Sequence, residues 1–316
     1  MKIERSEVWG DLIYDTTDHT FSRVEKNGSG SIPYTNNPIL LNIDLTLNCN
    51  MNCMHCVAKD FINVGDLEIT DKMLRRINES KFMVIVITGG EPLLHEYENN
   101  LLKLLQGIEG KGLIIDTNGT IQPSKKVVDT ILNTDTLVRV SWDAIRPQDE
   151  TYFRKAKSHA KVMTDLDKEY YYSKFKTIDI LRSEGVKVAA QSVIHKHNID
   201  TIIDMPEKIT DLKIKKWYIQ RYIPAHLVAG NRTLDISTND YENKISELIK
   251  KCSQMNIECI AKKDRRHNSV FLLVGDGDLY TQGELPGMKI RLGKIETDMS
   301  YFLYVSSSDH SERYYA

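Results

Sequence analysis

Three cysteines within eight residues constrain this chain more than any other feature of its sequence. Cys49, Cys53 and Cys56 lie in the string CNMNCMHC, which has the spacing C-x3-C-x2-C. Soft thiolates are the usual ligands of iron–sulfur clusters, and one loop that curls around a small inorganic cube can supply three of them. Because no fourth cysteine lies nearby, one iron of such a cluster would remain open to bind another group.

The triplet also has two alternative interpretations. Three core thiols could cluster by chance, but asparagines alternate with the cysteines and make a poor core segment. A structural zinc site usually takes two spaced pairs of ligands, and no second Cys/His pair of that kind follows. A zinc- or cluster-bearing module without catalysis therefore stays an alternative to an enzyme.

The two remaining cysteines are predicted to pack in the core. Cys252 lies on a helical apolar stripe, and Cys259 alternates with Ile257 and Ala261 as an inward strand position would. Two thiolates alone are too few to hold a second cluster.

Composition indicates an ordinary globular protein with a sizeable core. Of the 316 residues, 41% are hydrophobic and 27% are charged, and the formal net charge is −2. This balance gives no electrostatic signature for duplex nucleic acid. No apolar run approaches the ~18 residues of a membrane-spanning helix, and the N-terminal segment has no apolar signal core. With few cysteines, we expect a reducing, cytoplasmic environment and no membrane partner.

Strand-like and helix-like segments alternate through the middle of the chain. Strands are predicted over 41–46, 82–87, 113–117, 137–141, 186–194 and 216–222. Repeated βα units give parallel strands with right-handed crossovers, and six strands are fewer than the eight of a closed barrel. We therefore predict an α/β fold: a partial (βα)6 barrel over 37–222, a short N-terminal β extension over 1–36, and a small α+β C-terminal region over 223–316.

Polar motifs follow several of these strands, and ligands of such folds gather at the carboxyl ends of the strands. The cysteine loop follows the first barrel strand, TGGEP (88–92) the second, DTNG (116–119) the third and SWD (141–143) the fourth. The two glycines would let the backbone approach a ligand, and the glutamate would accept from an ammonium group. About 25 residues separate the fourth strand from its helix near 169, far more than the usual ~2–6, so this insertion either binds substrate or is a solvated loop.

With these motifs in place, residues 38–224 resemble the radical S-adenosylmethionine (radical SAM) superfamily. The resemblance implies that Cys49, Cys53 and Cys56 hold a [4Fe–4S] cluster, with His55 at a position that is usually aromatic. It also implies a set of residues that bind S-adenosylmethionine: His55, Gly89, Gly90, Glu91, Asn118, Ser141, Arg154 and Gln191. Arg154 would complement the carboxylate of the cofactor, and a surface ion pair is the alternative for this residue.

The resemblance implies radical chemistry of the oxidoreductase or lyase type. A donor such as flavodoxin or ferredoxin would reduce the cluster, and a 5′-deoxyadenosyl radical would abstract hydrogen from the substrate. We expect a peptide substrate, as in natural-product maturation; a nucleotide or other small molecule, as in viperin-type enzymes, is the alternative. Candidate catalytic or substrate-contacting residues are Asp143, Tyr218, Arg221 and His226, and Asn198 and Gln220 lie at the same strand ends.

Overall fold

The computed structural model describes residues 1–7, 9–25, 38–56, 58, 64–157, 163–223, 232–262, 270–275, 277–282 and 289–296. His226, one of the candidate substrate contacts, lies outside these residues. None of the helices in the described part of the chain is long and apolar enough to cross a membrane.

A parallel sheet forms the body of the fold, with a helix after most of its strands. Its first six strands are β4 (Leu40–Thr46), β5 (Val84–Gly89), β6 (Gly112–Thr117), β7 (Leu137–Ser141), β8 (Val188–Ile194) and β9 (Lys216–Arg221). They pair in sequence order, and each matches its predicted strand within two residues at either end. The prediction of six parallel strands in an open α/β sheet is confirmed.

The C-terminal segment adds strands to both sides of this sheet. These strands are β10 (Glu258–Lys262), β11 (Val270–Val274), β12 (Asp278–Gln282) and β13 (Lys289–Lys294). The parallel strand β10 pairs with β9, and β11 runs parallel to β4 before an antiparallel turn into β12 and β13. The sheet therefore runs across the predicted division at residue 223 and has ten strands in the described part of the chain. One more βα unit follows that division, because a helix over Thr238–Gln254 leads into the parallel strand β10.

The seven α-helices in the described residues are α1 (Asp71–Glu79), α2 (Glu98–Gly107), α3 (Lys125–Asn133), α4 (Pro147–Phe153), α5 (Asp165–Ser183), α6 (Met205–Asp211) and α7 (Thr238–Gln254). All but one of them pack their apolar side chains with the sheet in one core cluster; the exception, α4, packs in a separate cluster. The helix predicted from residue 169 begins at Asp165 instead, because the Thr164 side chain and the Asp167 side chain form a capping box at its first turn. The helix α4 lies inside the insertion for which only a loop was expected.

A three-stranded antiparallel sheet at the N-terminus covers the amino ends of the barrel strands. Its strands are β1 (Lys2–Glu7), β2 (Gly10–Asp15) and β3 (Thr20–Glu25). Trp9, Leu12 and Tyr14 pack in one apolar cluster with the inward side chains of the barrel. Gly112 at the start of β6 permits this contact, since a Cβ there would lie 2.1 Å from the ring of Tyr14. The ligand-binding end of the barrel is consequently the opposite one.

His19 couples this N-terminal sheet to pH. The ring is buried, its Nδ1 lies 2.8 Å from the Tyr14 hydroxyl, and burial lowers its pKa from 6.5 to about 4. Above pH 6.5 both states are neutral, and below pH 4 both are protonated. Between these values only the unfolded chain binds the proton, so we expect the free energy of unfolding to fall by about 1–3 kcal/mol as pH drops from 6.5 to 4.

Chemical unfolding of the apoprotein between pH 7 and 4 measures this loss. His19 has a positive φ of 55°, so His19→Asn is the matched variant, because asparagine tolerates this conformation and does not titrate there. The variant should lack this part of the pH dependence. A pH profile identical to that of the wild type would contradict the assignment.

Candidate active site

The cysteine loop follows β4 at the carboxyl end of the sheet, as its place in the sequence predicts. Its backbone forms a short antiparallel pairing with the segment 153–157, which begins at the last residue of α4. Three hydrogen bonds make this pairing: Asn52 N to Lys155 O at 2.8 Å, Met54 N to Phe153 O at 2.8 Å, and Lys157 N to Asn50 O at 2.9 Å. The loop is therefore held along its length by a segment about a hundred residues away in the chain.

This pairing gives the long insertion a role that neither predicted alternative included. Residues 153–157 are a backbone clamp on the cysteine loop, and Met51 forms an isolated bridge with Ala156 within it. Pairing of this kind carries no residue-type signal, because backbone groups of any residue can form it. Sequence reasoning therefore missed the clamp.

Gly89 and Gly90 allow the end of β5 to touch the start of the cysteine loop. The Gly90 N–H donates to Thr46 O at 2.6 Å, and the Glu91 N–H donates to Asn48 O at 2.9 Å. A Cβ on Gly89 would lie 2.3 Å from Thr46 O, and one on Gly90 only 1.9 Å from Asn48 O. The close approach predicted for the glycines is thus made to the loop backbone, and their contact with a cofactor stays a prediction.

The Glu91 carboxylate ties β5 to β6 below the rim of the barrel. It is fully buried and accepts hydrogen bonds from Thr117 Oγ1 at 2.7 Å, Leu93 N at 3.0 Å and Asn118 N at 2.7 Å. Burial raises its pKa to about 7, while these hydrogen bonds favour the charged form. The predicted contact with an ammonium group stays a prediction, and the structure gives the side chain a positioning role.

Glu91→Gln tests this positioning role. The side-chain NH2 of the variant would face a hydrogen-bond donor, so one of the hydrogen bonds to the carboxylate would be lost. We therefore expect the apoprotein to lose about 1–3 kcal/mol of stability. Chemical unfolding measures the change, with Glu96→Gln at a nearby exposed position as the matched control. Equal stabilities of the two variants would refute the role.

Asn118 connects the end of β6 to the cysteine loop. Its Nδ2 donates to Asn50 Oδ1 at 2.9 Å and lies 3.8 Å from Cys49 Sγ. The Asn50 side chain in turn donates to Thr120 Oγ1 at 2.7 Å. Asn50, one of the asparagines that argued against a core segment, is therefore a hydrogen-bonding partner of the barrel rim.

Asp143 and Arg154 form a buried ion pair beside the loop. Arg154 Nε donates to Asp143 Oδ2 at 2.6 Å, and His55 Nε2 lies 3.5 Å from the same oxygen. Burial alone would raise the pKa of Asp143, but the Arg154 guanidinium, the nearby histidines and the Val193 N–H together outweigh it and lower that pKa to about 2. The alternative of a surface ion pair for Arg154 is wrong, because the pair lies inside the protein; its contact with a cofactor carboxylate stays a prediction.

Two further charged side chains, which the sequence analysis did not single out, complete this buried network. Glu150 Oε2 accepts from the backbone N–H groups of Asp143 and Ala144, each at 2.8 Å, and its other oxygen contacts the Lys174 ammonium. The i,i+4 spacing of Glu150 and Arg154 could have indicated their contact from the sequence. Lys174 gave none, since it lies 24 residues further on.

Ser141 and Gln191 lie side by side at the ends of the neighbouring strands β7 and β8. The Oε1 atom of Gln191 is buried and has no hydrogen-bond partner in the described residues. An orphaned acceptor at this rim suits a ligand that brings a donor. Asn198, which was also noted from the sequence, donates to Asp143 O at 3.1 Å and Val193 O at 2.9 Å and so fixes the ends of β7 and β8.

The candidate catalytic residues are not all brought together. Tyr218 lies inside the barrel, where the Arg139 guanidinium is 4.9 Å from its ring centroid and is itself bound by both oxygens of Asp116. Arg221 donates to Ile236 O at 3.0 Å, outside the sheet. Asp143 alone lies next to the cysteine loop, and its contact with substrate stays a prediction.

The donor set of the loop fits an iron–sulfur cluster. Burial raises the pKa of Cys49 to about 11 and that of Cys53 to about 12, so both thiols stay protonated until a metal displaces the proton. The Met51 N–H points at Cys49 Sγ at 3.4 Å, as donors to cluster sulfurs do. The described residues contain no group of three or more His, Cys, Asp or Glu that converges on one ion; cluster ligands bind separate irons and need not converge in that way.

Comparison with known proteins agrees with this geometry. A family model described as the Radical SAM superfamily matches residues 43–209, more than half of the chain. The chain is 25% identical over 256 residues to an S-adenosylmethionine-dependent nucleotide dehydratase of Lacinutrix mariniflava (74% of this chain and 50% of that protein). It is 30% identical over 219 residues to a GTP 3′,8-cyclase of Clostridium perfringens (67% of this chain and 62% of that protein). The chain spans about half the length of the curated relatives it matches.

Solved structures show the same fold at low sequence identity. Streptococcus suis SuiB bound to S-adenosylmethionine superposes with a TM-score of 0.68 at 13% identity and covers 98% of this chain and 88% of that one. The enzyme anSMEcpe with bound AdoMet gives a TM-score of 0.65 at 16% identity and covers 84% and 80% of the two chains. These likenesses confirm the predicted partial barrel.

Proposed function

Because the chain belongs to the radical SAM superfamily, we propose that the protein is an enzyme that cleaves S-adenosylmethionine reductively at a [4Fe–4S] cluster. The observation that carries this proposal is the cysteine loop itself. Three thiols lie on one loop at the carboxyl end of the sheet, and the ends of β5 and β6 and the clamp 153–157 all hydrogen-bond to it. A structural loop without a ligand would not require support from three separate parts of the fold.

The residues divide into those that would hold the cofactors and those that keep them in place. When bound and reduced, the cluster supplies the electron that splits S-adenosylmethionine into methionine and a 5′-deoxyadenosyl radical, which removes a hydrogen atom from the substrate. Cys49, Cys53 and Cys56 would hold the cluster. Gln191 would present its buried Oε1 to the other cofactor, and the closed amino end of the barrel keeps water from entering on that side.

We propose a peptide as the substrate. SuiB has been solved with its precursor peptide SuiA, and the structural likeness to it covers 98% of this chain. This likeness extends well beyond residues 43–209, the part that the family model matches, into the N-terminal sheet and the C-terminal strands. A peptide-modifying enzyme of the natural-product maturation type, working in the cytoplasm, is therefore the function that we favour.

A nucleotide substrate is the second candidate. The curated relatives at 25% and 30% identity are named for reactions of nucleotides. Inside the barrel, Arg139 offers a cation, although Asp116 already binds it through two hydrogen bonds of 2.6 and 2.8 Å. An incoming phosphate would have to displace this carboxylate, so we rank the candidate second.

One assay tests the proposal. The protein is reconstituted with iron and sulfide without oxygen, reduced with dithionite and mixed with S-adenosylmethionine, and 5′-deoxyadenosine is measured. Any short peptide encoded beside the gene and a panel of nucleoside triphosphates are then added in parallel. We expect 5′-deoxyadenosine in all samples and a substrate mass change with the peptide. If nucleotides give a product and the peptide does not, the ranking of the two substrate classes is reversed. If S-adenosylmethionine is not cleaved in any sample, the proposed function is refuted.

A further inference from the structure

We propose that a small acidic one-electron carrier protein of the flavodoxin or ferredoxin class docks on a specific surface beside the cysteine loop. This surface, called the docking surface below, consists of Tyr152, Lys157, Lys196 and His197. The inference rests on the proposed function, since only an enzyme that needs electrons needs such a partner. It adds where the partner binds and by which chemistry.

A row of aromatic rings leads from the docking surface into the protein. Tyr152 is 52% exposed, and its ring lies 5.6 Å from that of His197 and 4.9 Å from that of Phe153. The buried Phe153 ring is 3.8 Å from His195, which is 6.4 Å from His55. These four contacts connect solvent to the interior through packed rings.

The inner end of the row reaches the cysteine loop. His55 lies between Cys53 and Cys56 in the sequence, and Phe153 O accepts the N–H of Met54 from the same loop at 2.8 Å. A carrier on the docking surface would therefore have a route of packed side chains to the loop.

The hydrogen bonds of the described residues do not explain why residue 195 is a histidine. The ring is completely buried, and neither of its nitrogens has a hydrogen-bond partner in the described residues. An unsatisfied buried polar group is unfavourable, and an aliphatic side chain would fill the space without this penalty. An aromatic ring that continues the row from Phe153 to His55 accounts for the choice of residue.

The charges of the docking surface favour an acidic partner. Lys157 and Lys196 are exposed, and neither forms a salt bridge with a described residue, whereas other charges on the neighbouring helices pair with each other. Arg146 binds Asp149 at 2.5 Å, and Lys168 binds Asp165 at 3.1 Å. On a chain of net charge −2, two exposed lysines without a salt-bridge partner among the described residues favour contact with an acidic protein at this site.

The reaction at the interface is a single electron transfer. The reduced carrier loses one electron and is oxidised by one electron, and the cluster held by the loop gains that electron. No bond forms or breaks in this step.

Charge reversal tests the docking surface. Binding of a flavodoxin with an acidic surface to the cluster-loaded enzyme is measured by calorimetry at low and high salt. Cluster reduction by the flavodoxin hydroquinone is followed by stopped-flow absorbance. The variants are Lys157→Glu, Lys196→Glu and the double variant, and the control is Lys126→Glu at an exposed position of α3. We expect the double variant to bind flavodoxin about tenfold more weakly at low salt, with a smaller difference at high salt.

Dithionite separates this inference from the proposed function. With dithionite, Lys196→Glu should cleave S-adenosylmethionine at the wild-type rate, because dithionite needs no docking site. If dithionite supports cleavage but the double variant binds flavodoxin as tightly as Lys126→Glu does, the carrier does not bind at the docking surface and the inference is refuted. If dithionite supports no cleavage in any variant, the proposed function fails instead.

Discussion

Cys53→Ala is expected to give a colourless protein that binds no stable iron–sulfur cluster and releases no 5′-deoxyadenosine. Cys53 is the middle ligand of the C-x3-C-x2-C loop, and two thiolates cannot replace three on a cluster that already lacks a fourth. The loss should be complete rather than partial. Iron content, the visible absorbance of the cluster and chromatography of the cleavage products measure it.

The control for this prediction is Cys259→Ala. Cys259 is also a half-buried cysteine, but it lies on β10, away from the loop. This variant should keep its iron and its cleavage activity. Full iron content and full cleavage in Cys53→Ala would remove the ligand assignment.

Gly90→Ala is expected to be the most damaging substitution outside the cysteines. The new Cβ would lie 1.9 Å from Asn48 O, which is backbone, so the end of β5 and the cysteine loop have to move apart. Overpacking costs about 1–3 kcal/mol, and the two backbone hydrogen bonds between these segments add about 0.5–1.5 kcal/mol each. We expect a loss of about 2–6 kcal/mol in stability, together with loss of the cluster.

Chemical unfolding of the apoprotein and iron content after reconstitution test this expectation together. Gly65→Ala is the matched control, because a Cβ at Gly65 would meet nothing within 4 Å. That variant should stay within about 0.5 kcal/mol of the wild type. A Gly90→Ala protein with normal stability and normal iron content would show that the loop does not need this close approach.

The order of strands and helices in the barrel could be predicted from the sequence. Alternating strand and helix patterns between residues 40 and 221 gave six strands within two residues of their observed ends, because periodicity and strand length are local properties of the chain. The strands that pair at the two edges of this barrel could not be predicted. That β10 pairs with β9, and β11 with β4, depends on which exposed backbone edge the later strands meet, and no residue pattern encodes that choice.

The same division applies to the candidate site. Spacing identified the three cysteines, because cluster ligation demands particular residue types at short separations. Position after a predicted strand, together with the family resemblance, identified the glycine turn and Asn118. Only the tertiary structure showed that 153–157 clamps the loop and that Glu91 and Arg154 are buried in contacts of their own. It alone placed His195 between Phe153 and His55. These contacts join residues far apart in the chain, and their energies depend on burial and on neighbours that only folding brings together.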